Sequence, residues 1–128
     1  MSPKRPLFSI TVYVRIWRNR LETRCIESGE VVTSASGEEF STDRLLVGRF
    51  KVAEQRLRDA FGKVLPGRFI RPSVFALMHP VEMVEGGLSE VEERVLLELA
   101  ASAGARRYAT HVGAELSDDA VLQMVRQR

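Results

Sequence analysis

A strictly alternating segment near the start of the chain constrains the fold more than any other feature. From Phe8 to Ile16 every second residue is apolar, and the positions between are Ser9, Thr11, Tyr13 and Arg15. A period of two with β-branched and aromatic side chains is typical of a β-strand. The sequence therefore predicts a fold that opens with a strand whose two faces differ in chemistry.

Two further strands are predicted to complete an antiparallel meander. Residues 18–20 can turn the chain, and alternation then resumes over residues 21–27. Ser28-Gly29-Glu30 is a second turn signal, and a short strand over residues 31–35 follows it.

Beyond residue 40 the apolar period changes to three and four, which predicts a long helix. Ser41-Thr42-Asp43 offers candidate N-caps, and Pro66-Gly67 is expected to end the helix. The apolar face of this helix is predicted to consist of Leu46, Phe50, Ala53, Leu57, Ala60, Phe61 and Val64.

The second half of the chain predicts two strands and two helices. Residues 74–78 form an unbroken apolar run, which is typical of a central strand covered on both faces. Ser89 and Glu92 form a capping box, and Gly104 suits the position after the helix they begin. The apolar face of this helix is predicted to be Val91, Val95, Leu96, Leu99 and Ala103.

A fifth strand over residues 108–112 and a last helix complete the prediction. Ser117-Asp118-Asp119 caps that helix, which carries Val121, Leu122 and Met124. The order is βββαβαβα, a five-stranded mixed sheet with helices packed on it, in one α/β domain over residues 1–128. We expect residues 1–6 to be flexible and the fold to be ribonuclease H-like, as in a subdomain of actin-like ATPases.

Composition narrows the class of protein. A chain of 128 residues has the length of one domain, and no apolar run approaches the roughly 20 residues that a membrane span needs. The N-terminal residues lack the apolar core of a signal peptide. The single cysteine, Cys25, allows no internal disulfide. We therefore expect a cytoplasmic protein without a membrane span.

Charge is distributed unevenly along the chain. Residues 1–24 hold six basic residues and one acid, whereas the remainder holds 13 basic and 16 acidic residues. Such a basic hairpin can attract an acidic partner, or its arginines can simply keep an exposed strand soluble. The candidate partner-binding residues are Tyr13, Arg15, Trp17, Arg18, Arg20 and Arg24.

A second candidate site surrounds His79, which follows the apolar run at its carboxyl end. Glu82 and Glu85 are close in sequence, so an acid–base or metal cluster is conceivable, although a loop histidine beside solvated acids is the simpler interpretation. His111 can join this cluster only if the fourth and fifth strands align. Catalytic residues, metal ligands and cofactor-binding residues are not predicted.

Residues 49–105 resemble the MreB-type rod-shape-determining actins of bacteria. Residues 49–57 (RFKVAEQRL) are similar to the family's D-F-x-V-x-E-x-M-L helix, and Arg71-Pro72-Ser73 is similar to its R-P-x. Residues 88–94 (LSEVEER) resemble its T-x-V-E-[RK]-R helix start, and residues 103–106 match its A-G-A-R. The resemblance extends more weakly to residues 4–35, where Val12-Tyr13-Val14 aligns with the family's I-Y-V.

The nucleotide motifs of that family are not matched. Lys4-Arg5-Pro6-Leu7 stands where the family has its phosphate-binding D-L-G-T, and residues 111–114 (HVGA) stand where it has I-E-E-P. Nucleotide hydrolysis needs carboxylates that organise Mg²⁺ and backbone donors around the phosphates. The resemblance thus implies an actin-like domain connected with cell shape or filaments, and the mismatches predict that it is not an enzyme.

Three functional hypotheses follow from the sequence. The first is a non-catalytic MreB-like structural or protein-interaction domain that binds a protein, or itself, through the basic hairpin or an edge strand. The second is an actin-like ATP-binding protein that completes its site with another chain. The third is a basic nucleic-acid-binding module.

Overall fold

The opening meander forms as three strands connected by short turns. In the computed structural model, which describes residues 9–65 and 72–126, these are β1 (Ser9–Trp17), β2 (Arg20–Cys25) and β3 (Val31–Ser34). Asn19 adopts a left-handed backbone conformation, φ 55°, in the turn between β1 and β2. Asparagine tolerates this conformation better than most residues, which explains a tight turn without glycine.

The remaining elements alternate between helix and strand, in the predicted order. They are α1 (Phe50–Val64), β4 (Ser73–Pro80), α2 (Glu90–Ala103), β5 (Ala105–Thr110) and α3 (Asp118–Arg126). Ser89 and Glu92 form the predicted capping box at the start of α2, and Gly104 ends α2 with φ 119°.

The five strands form one mixed sheet in the order β3-β2-β1-β4-β5. β1 pairs with β2 and β2 with β3 in the antiparallel sense, whereas β1–β4 and β4–β5 are parallel. The central strands β1 and β4 are buried almost throughout, as expected for strands covered on both faces. The prediction of an α/β fold with a five-stranded mixed sheet is confirmed.

Helices cover the two faces of the sheet unequally. α1 and α2 pack against each other and against one face, here called the α1/α2 face, whose core includes Val12, Val14, Leu57 and Leu99. α3 packs on β1, β4 and β5 across the other face, the α3 face, with a smaller core of Tyr13, Phe75, Leu77, Val121 and Val125.

The predicted start of the first helix is wrong. α1 begins at Phe50, and Ser41 and Thr42 lie in the preceding loop, where their hydroxyl groups have other partners. The Ser41 hydroxyl donates to Leu46 O at 2.5 Å, and the Thr42 hydroxyl accepts from Leu45 N at 3.0 Å. These bonds close the loop on itself, so the two residues cannot cap a helix.

Several other boundaries also differ from the predictions. β2 ends at Cys25, β3 ends at Ser34, and β5 begins at Ala105, three residues before the predicted start. Val91, predicted to face the core, is 71% exposed on the first turn of α2. Residues 1–6 and Pro66-Gly67, for which we made predictions, lie outside the described residues.

None of the helices in the described ranges, 9–65 and 72–126, is long and apolar enough to cross a membrane.

Candidate functional site

Part of the α3 face is not covered by α3. This helix contacts β1, β4 and β5, and its link to β2 is an ion pair between Arg24 and Asp118. Beyond it, the carboxyl end of β1 and the facing residues of β2 form a half-exposed surface, here called the open strip. The open strip consists of Arg15, Trp17, Arg20 and Glu22.

Trp17 lies at the centre of the open strip between two arginines. The Arg20 guanidinium carbon is 4.0 Å from the ring centroid of Trp17, and that of Arg15 is 4.9 Å away. The strand register explains this, because Arg20 is directly opposite Trp17 and Arg15 precedes it on the same face. Each cation–π contact contributes about 0.5–1 kcal/mol at such a site, so the ring and its charges form one preorganised unit.

Acidic neighbours partly neutralise two of the predicted arginines. Arg15 Nη1 is 3.8 Å from Glu22 and 3.6 Å from Glu115, and its Nε atom is buried without a hydrogen-bond partner among the described residues. Arg24 Nη2 forms a tight ion pair with Asp118 at 2.6 Å. Arg20 is the exposed cation of the open strip, and its guanidinium lies against the Trp17 ring.

Arg18 belongs to a different surface from the other predicted arginines. Its Nη1 donates to Thr42 O at 3.2 Å and contacts Met83 Sδ at 3.4 Å, and its backbone N–H donates to Glu82 at 2.7 Å. Arg18 therefore connects the β1–β2 turn to the loops at residues 40–48 and 81–88, away from Trp17.

Tyr13, a predicted partner-binding residue, is buried with 2% of its surface exposed, so it cannot contact a partner directly. Its hydroxyl accepts from Leu116 N at 3.0 Å and lies 2.7 Å from His79 Nδ1. Since the hydroxyl accepts one bond, its proton is free to be donated to Nδ1. Tyr13 thus anchors the loop before α3 to the centre of the sheet.

The hydrogen-bond network assigns a neutral state to His79. Nδ1 accepts from Tyr13, and Nε2 donates to Gly113 O at 2.9 Å, since a carbonyl can only accept. Burial lowers the pKa of His79 below its ordinary value and raises the pKa of the Tyr13 hydroxyl, because neither ion is solvated there. Both ring nitrogens have partners in the resting state, which is typical of a structural histidine.

The structure does not bring His79 together with Glu82 and Glu85. Glu82 accepts from Arg18 N at the β1–β2 turn, and Glu85 lies exposed in the following loop. His111 is the neighbour of His79 instead, with ring centroids 4.8 Å apart, because β4 and β5 do align. Within the described parts of the chain, no three His, Cys, Asp or Glu side chains are grouped so that they could hold a metal ion.

Sequence reasoning missed Arg56, a buried arginine on α1 that supports the β1–β2 turn. Its guanidinium donates to Asn19 O at 3.1 Å, Glu38 O at 3.0 Å and Ser34 O at 2.7 Å, and it lies over the Phe40 ring. Burial lowers the pKa of Arg56. Arg56 lies among Ala53, Leu57 and Ala60 on the buried side of α1. This position in the helical pattern was the sequence signal that could have identified it.

Asn19 completes this support from the other side. Its Oδ1 accepts from Phe40 N at 3.0 Å and Ser41 N at 2.8 Å, and its backbone N–H donates to the Ser41 hydroxyl at 3.0 Å. The loop after β3 is therefore fixed to the turn that carries Arg18 and Arg20. This rigidity positions the open strip.

The two edge strands of the sheet differ in how they are protected. β5 presents exposed Arg106 and Arg107, and Arg107 reaches the last carbonyls of α3. β3 carries no charge, and Val31 is 48% exposed. The bond from Cys25 N to Glu30 O, together with the register, places the backbone polar groups of Val31 and Thr33 on the free edge. β3 is thus the edge that can accept another strand.

Comparison with known proteins gives one clear relative. A protein from Escherichia coli (strain K12), described as uncharacterized protein YjaA, is 38% identical over 130 residues, which cover 91% of this chain and 98% of that protein. The chain belongs to the YjaA family. No family model matches the sequence. The similarity spans nearly the whole of both chains.

Proposed function

We propose that the domain is a non-catalytic protein-interaction module that binds an acidic protein surface through the open strip. The observation that carries this proposal is the Trp17 ring held between Arg15 and Arg20 on a part of the sheet that none of the helices in the described ranges covers. Tryptophan and arginine are the residues most enriched among the energetic centres of protein interfaces. A ring that is already fixed by two cations loses little conformational entropy when it is bound.

A ribonuclease H-like fold is the finer assignment that we propose for the α/β sheet. The strand order β3-β2-β1-β4-β5, the antiparallel β2 and the parallel β1, β4 and β5 support it. Together with the motif resemblance in residues 49–105, this leads us to propose an actin-like domain related to MreB-type proteins. Its process would then be cell shape or filament assembly, in the cytoplasm, where the free thiol of Cys25 suits a reducing environment.

The chemistry of the strands supports a role without nucleotide turnover. β1 carries no carboxylate, and β4 ends in His79 and Pro80 rather than in an acid. The segment after β5, where the actin-like family has its catalytic acids, instead uses His111 to donate to Ala114 O at 2.8 Å. His79 and His111 thus hydrogen-bond to the backbone of the loop before α3, which is a structural role.

The edge strand β3 gives the partner a second point of contact. It lies next to β2 on the side of the open strip, with Thr33 directly opposite Glu22. A partner strand added at this edge would extend the same face, with β3 between it and the strand that carries Arg20. We therefore place the partner across β2 and β3.

Trp17 is the single tryptophan of the chain, so its fluorescence tests the proposal directly. We would titrate the protein with a glutamate-rich peptide, a single-stranded oligonucleotide and Mg-ATP, and follow the emission of Trp17. We expect a saturable change with the peptide and a weaker affinity in the Arg20→Gln variant. Lys51→Gln is the matched control, because Lys51 is exposed on α1, away from the open strip.

The other two probes decide between the remaining hypotheses. Tight oligonucleotide binding whose affinity falls steeply with salt would favour the nucleic-acid-binding module. A saturable response to Mg-ATP would favour the actin-like ATP-binding protein. Either result without a response to the acidic peptide would contradict the proposal.

A further inference from the structure

An apolar groove lies on the α1/α2 side of the sheet, at the carboxyl end of β4. Its empty volume, including the part that is open to solvent, is about 500 Å³. One wall is the loop at residues 45–47, the other is the first half of α2, and Pro80 and Met83 lie between them. The open strip is on the opposite face, so the groove is a separate surface.

Each wall of the groove exposes a large apolar side chain. Leu45 is 45% exposed on the loop wall, and Val91 is 71% exposed on the helix wall. The described part of the chain exposes few large apolar side chains to this degree, and two of them line this one groove. Burial of both side chains would be favourable, so the groove has the character of an interface.

The loop between the walls is held in an unusual conformation. Met83 has φ 60°, a left-handed conformation that costs a non-glycine residue about 1 kcal/mol or more. Its side chain lines the groove, and its sulfur contacts Arg18 Nη1 at 3.4 Å. Backbone strain of this kind is typical of segments that are shaped for binding.

The two walls carry opposite charge. Beside the loop wall, residues 42–49 hold Arg44 and Arg49 against one acid, Asp43, and Arg18 lies next to them. The helix wall begins with Glu90, Glu92 and Glu93, and the basic residue that follows them, Arg94, forms an ion pair with Glu98 at 3.6 Å. A surface with an apolar centre, a basic flank and an acidic flank is complementary to a copy of itself turned by a half rotation.

We propose that this groove is the interface of a symmetric homodimer. The loop wall of each copy packs on the helix wall of the other, so that Leu45 of one copy meets Val91 of the other and Arg44 faces the glutamates of α2. The twofold axis passes through the groove, and each contact occurs twice. The surface is small, so we expect a dissociation constant of about a micromolar order. This proposal is independent of the proposed function.

Sedimentation velocity over a range of protein concentrations tests the dimer. We expect the wild type to pass from monomer to dimer, and Val91→Asp to weaken the dimer about tenfold or more, because a carboxylate would be buried against Leu45. An acid on the first turn of a helix is favourable, so this variant should fold normally, as circular dichroism can verify. Val112→Asp is the matched control, since Val112 is an exposed valine in the loop before α3.

Charge reversal on each wall tests the reciprocal arrangement. Arg44→Glu and Glu90→Lys should each weaken the homodimer, because each places like charges across both contacts. An equal mixture of the two variants should restore association as a heterodimer, because opposite charges then face each other at both contacts. A wild type that stays monomeric, or a dimer that Val91→Asp leaves intact, would overturn the proposal. A dimer abolished by Trp17→Ala and not by Val91→Asp would also overturn it and would place association at the open strip.

Discussion

The two faces of the sheet differ in how far helices cover them and in the chemistry of their cores. The α1/α2 face is closed by two helices over a continuous apolar core, and residues such as Leu57 and Leu99 are fully buried there. The α3 face has one nine-residue helix, a small core and a chain of buried polar groups centred on His79. Beyond α3 it leaves the open strip uncovered.

The α1/α2 face therefore contributes mainly to the stability of the fold, whereas the α3 face carries the surface proposed to bind a partner. Large apolar residues on the α1/α2 face contribute most of the hydrophobic free energy, since they are removed fully from water. The α3 face uses hydrogen bonds among Tyr13, His79, Gly113 and Leu116 to fix one loop, which leaves the neighbouring strands free to contact a partner. A substitution should therefore affect folding on one face and binding on the other.

The largest effect is expected from truncation on the closed face. Leu57→Ala should lower the free energy of unfolding by about 3–5 kcal/mol, because α1 is held between the sheet and α2 and cannot collapse into the cavity. Leu77→Ala, an equally buried leucine under α3, should cost about 2–3 kcal/mol, since a single short helix can shift. Urea denaturation of both variants measures the difference. An equal loss of unfolding free energy in the two variants would contradict the difference proposed between the two faces.

Arg56→Met should lower the free energy of unfolding by about 2–4 kcal/mol. The variant keeps the apolar stem but leaves the carbonyls of Asn19, Ser34 and Glu38 without their donor. Arg56→Lys should recover only a small part, because an ammonium cannot reproduce the fork of the guanidinium. Full stability in Arg56→Lys would show that charge alone supports the β1–β2 turn.

Low pH should lower the free energy of unfolding through the α3 face, where His79 is buried. Since the pKa of His79 is lowered in the folded protein, the unfolded chain binds the proton more readily, and stability falls as the pH drops below about 6.5. Protonation would also place a proton on Nδ1, against the Tyr13 hydroxyl. His79→Gln should reduce this pH dependence of the unfolding free energy, whereas His111→Gln should retain most of it. The same pH profile in both variants would contradict this assignment.

The smallest effect on stability is expected at the open strip. Trp17→Ala with Arg20→Gln should lower the free energy of unfolding by about 2 kcal/mol, of which the two cation–π contacts account for about 1–2 kcal/mol and the partly buried ring for the rest. Binding of an acidic partner should nevertheless be lost. A double variant that fails to fold would show that the strip belongs to the structural core.

Local patterns predicted the elements well where one physical signal dominated. The alternation in β1, the apolar run in β4 and the capping box at Ser89 each correspond to an element of the observed type. The start of α1 was not predictable, because the hydroxyls of Ser41 and Thr42 are engaged by Asn19 and by their own loop. Those contacts depend on tertiary structure.

The candidate site was predictable only in part, for a similar reason. The sequence identified the arginines of the hairpin, but it could not show that Arg24 and Arg15 have acidic neighbours beyond β2, at Asp118 and Glu115. It also placed Tyr13 correctly on the face opposite Val12 and Val14 without showing that α3 buries it. Coverage by a helix more than 100 residues later along the chain leaves no local signal.

The most direct test of the central claim is photocrosslinking in living cells from a probe amino acid at Thr33. This exposed residue lies beside Glu22 on the open face, so the probe leaves Trp17 and Arg20 intact. We expect one discrete protein adduct whose crosslinked segment is acidic, absent in the Arg20→Gln variant and absent when the probe replaces Lys51 on α1. No adduct from Thr33, or the same adducts from both positions, would contradict a partner-binding role for the open strip.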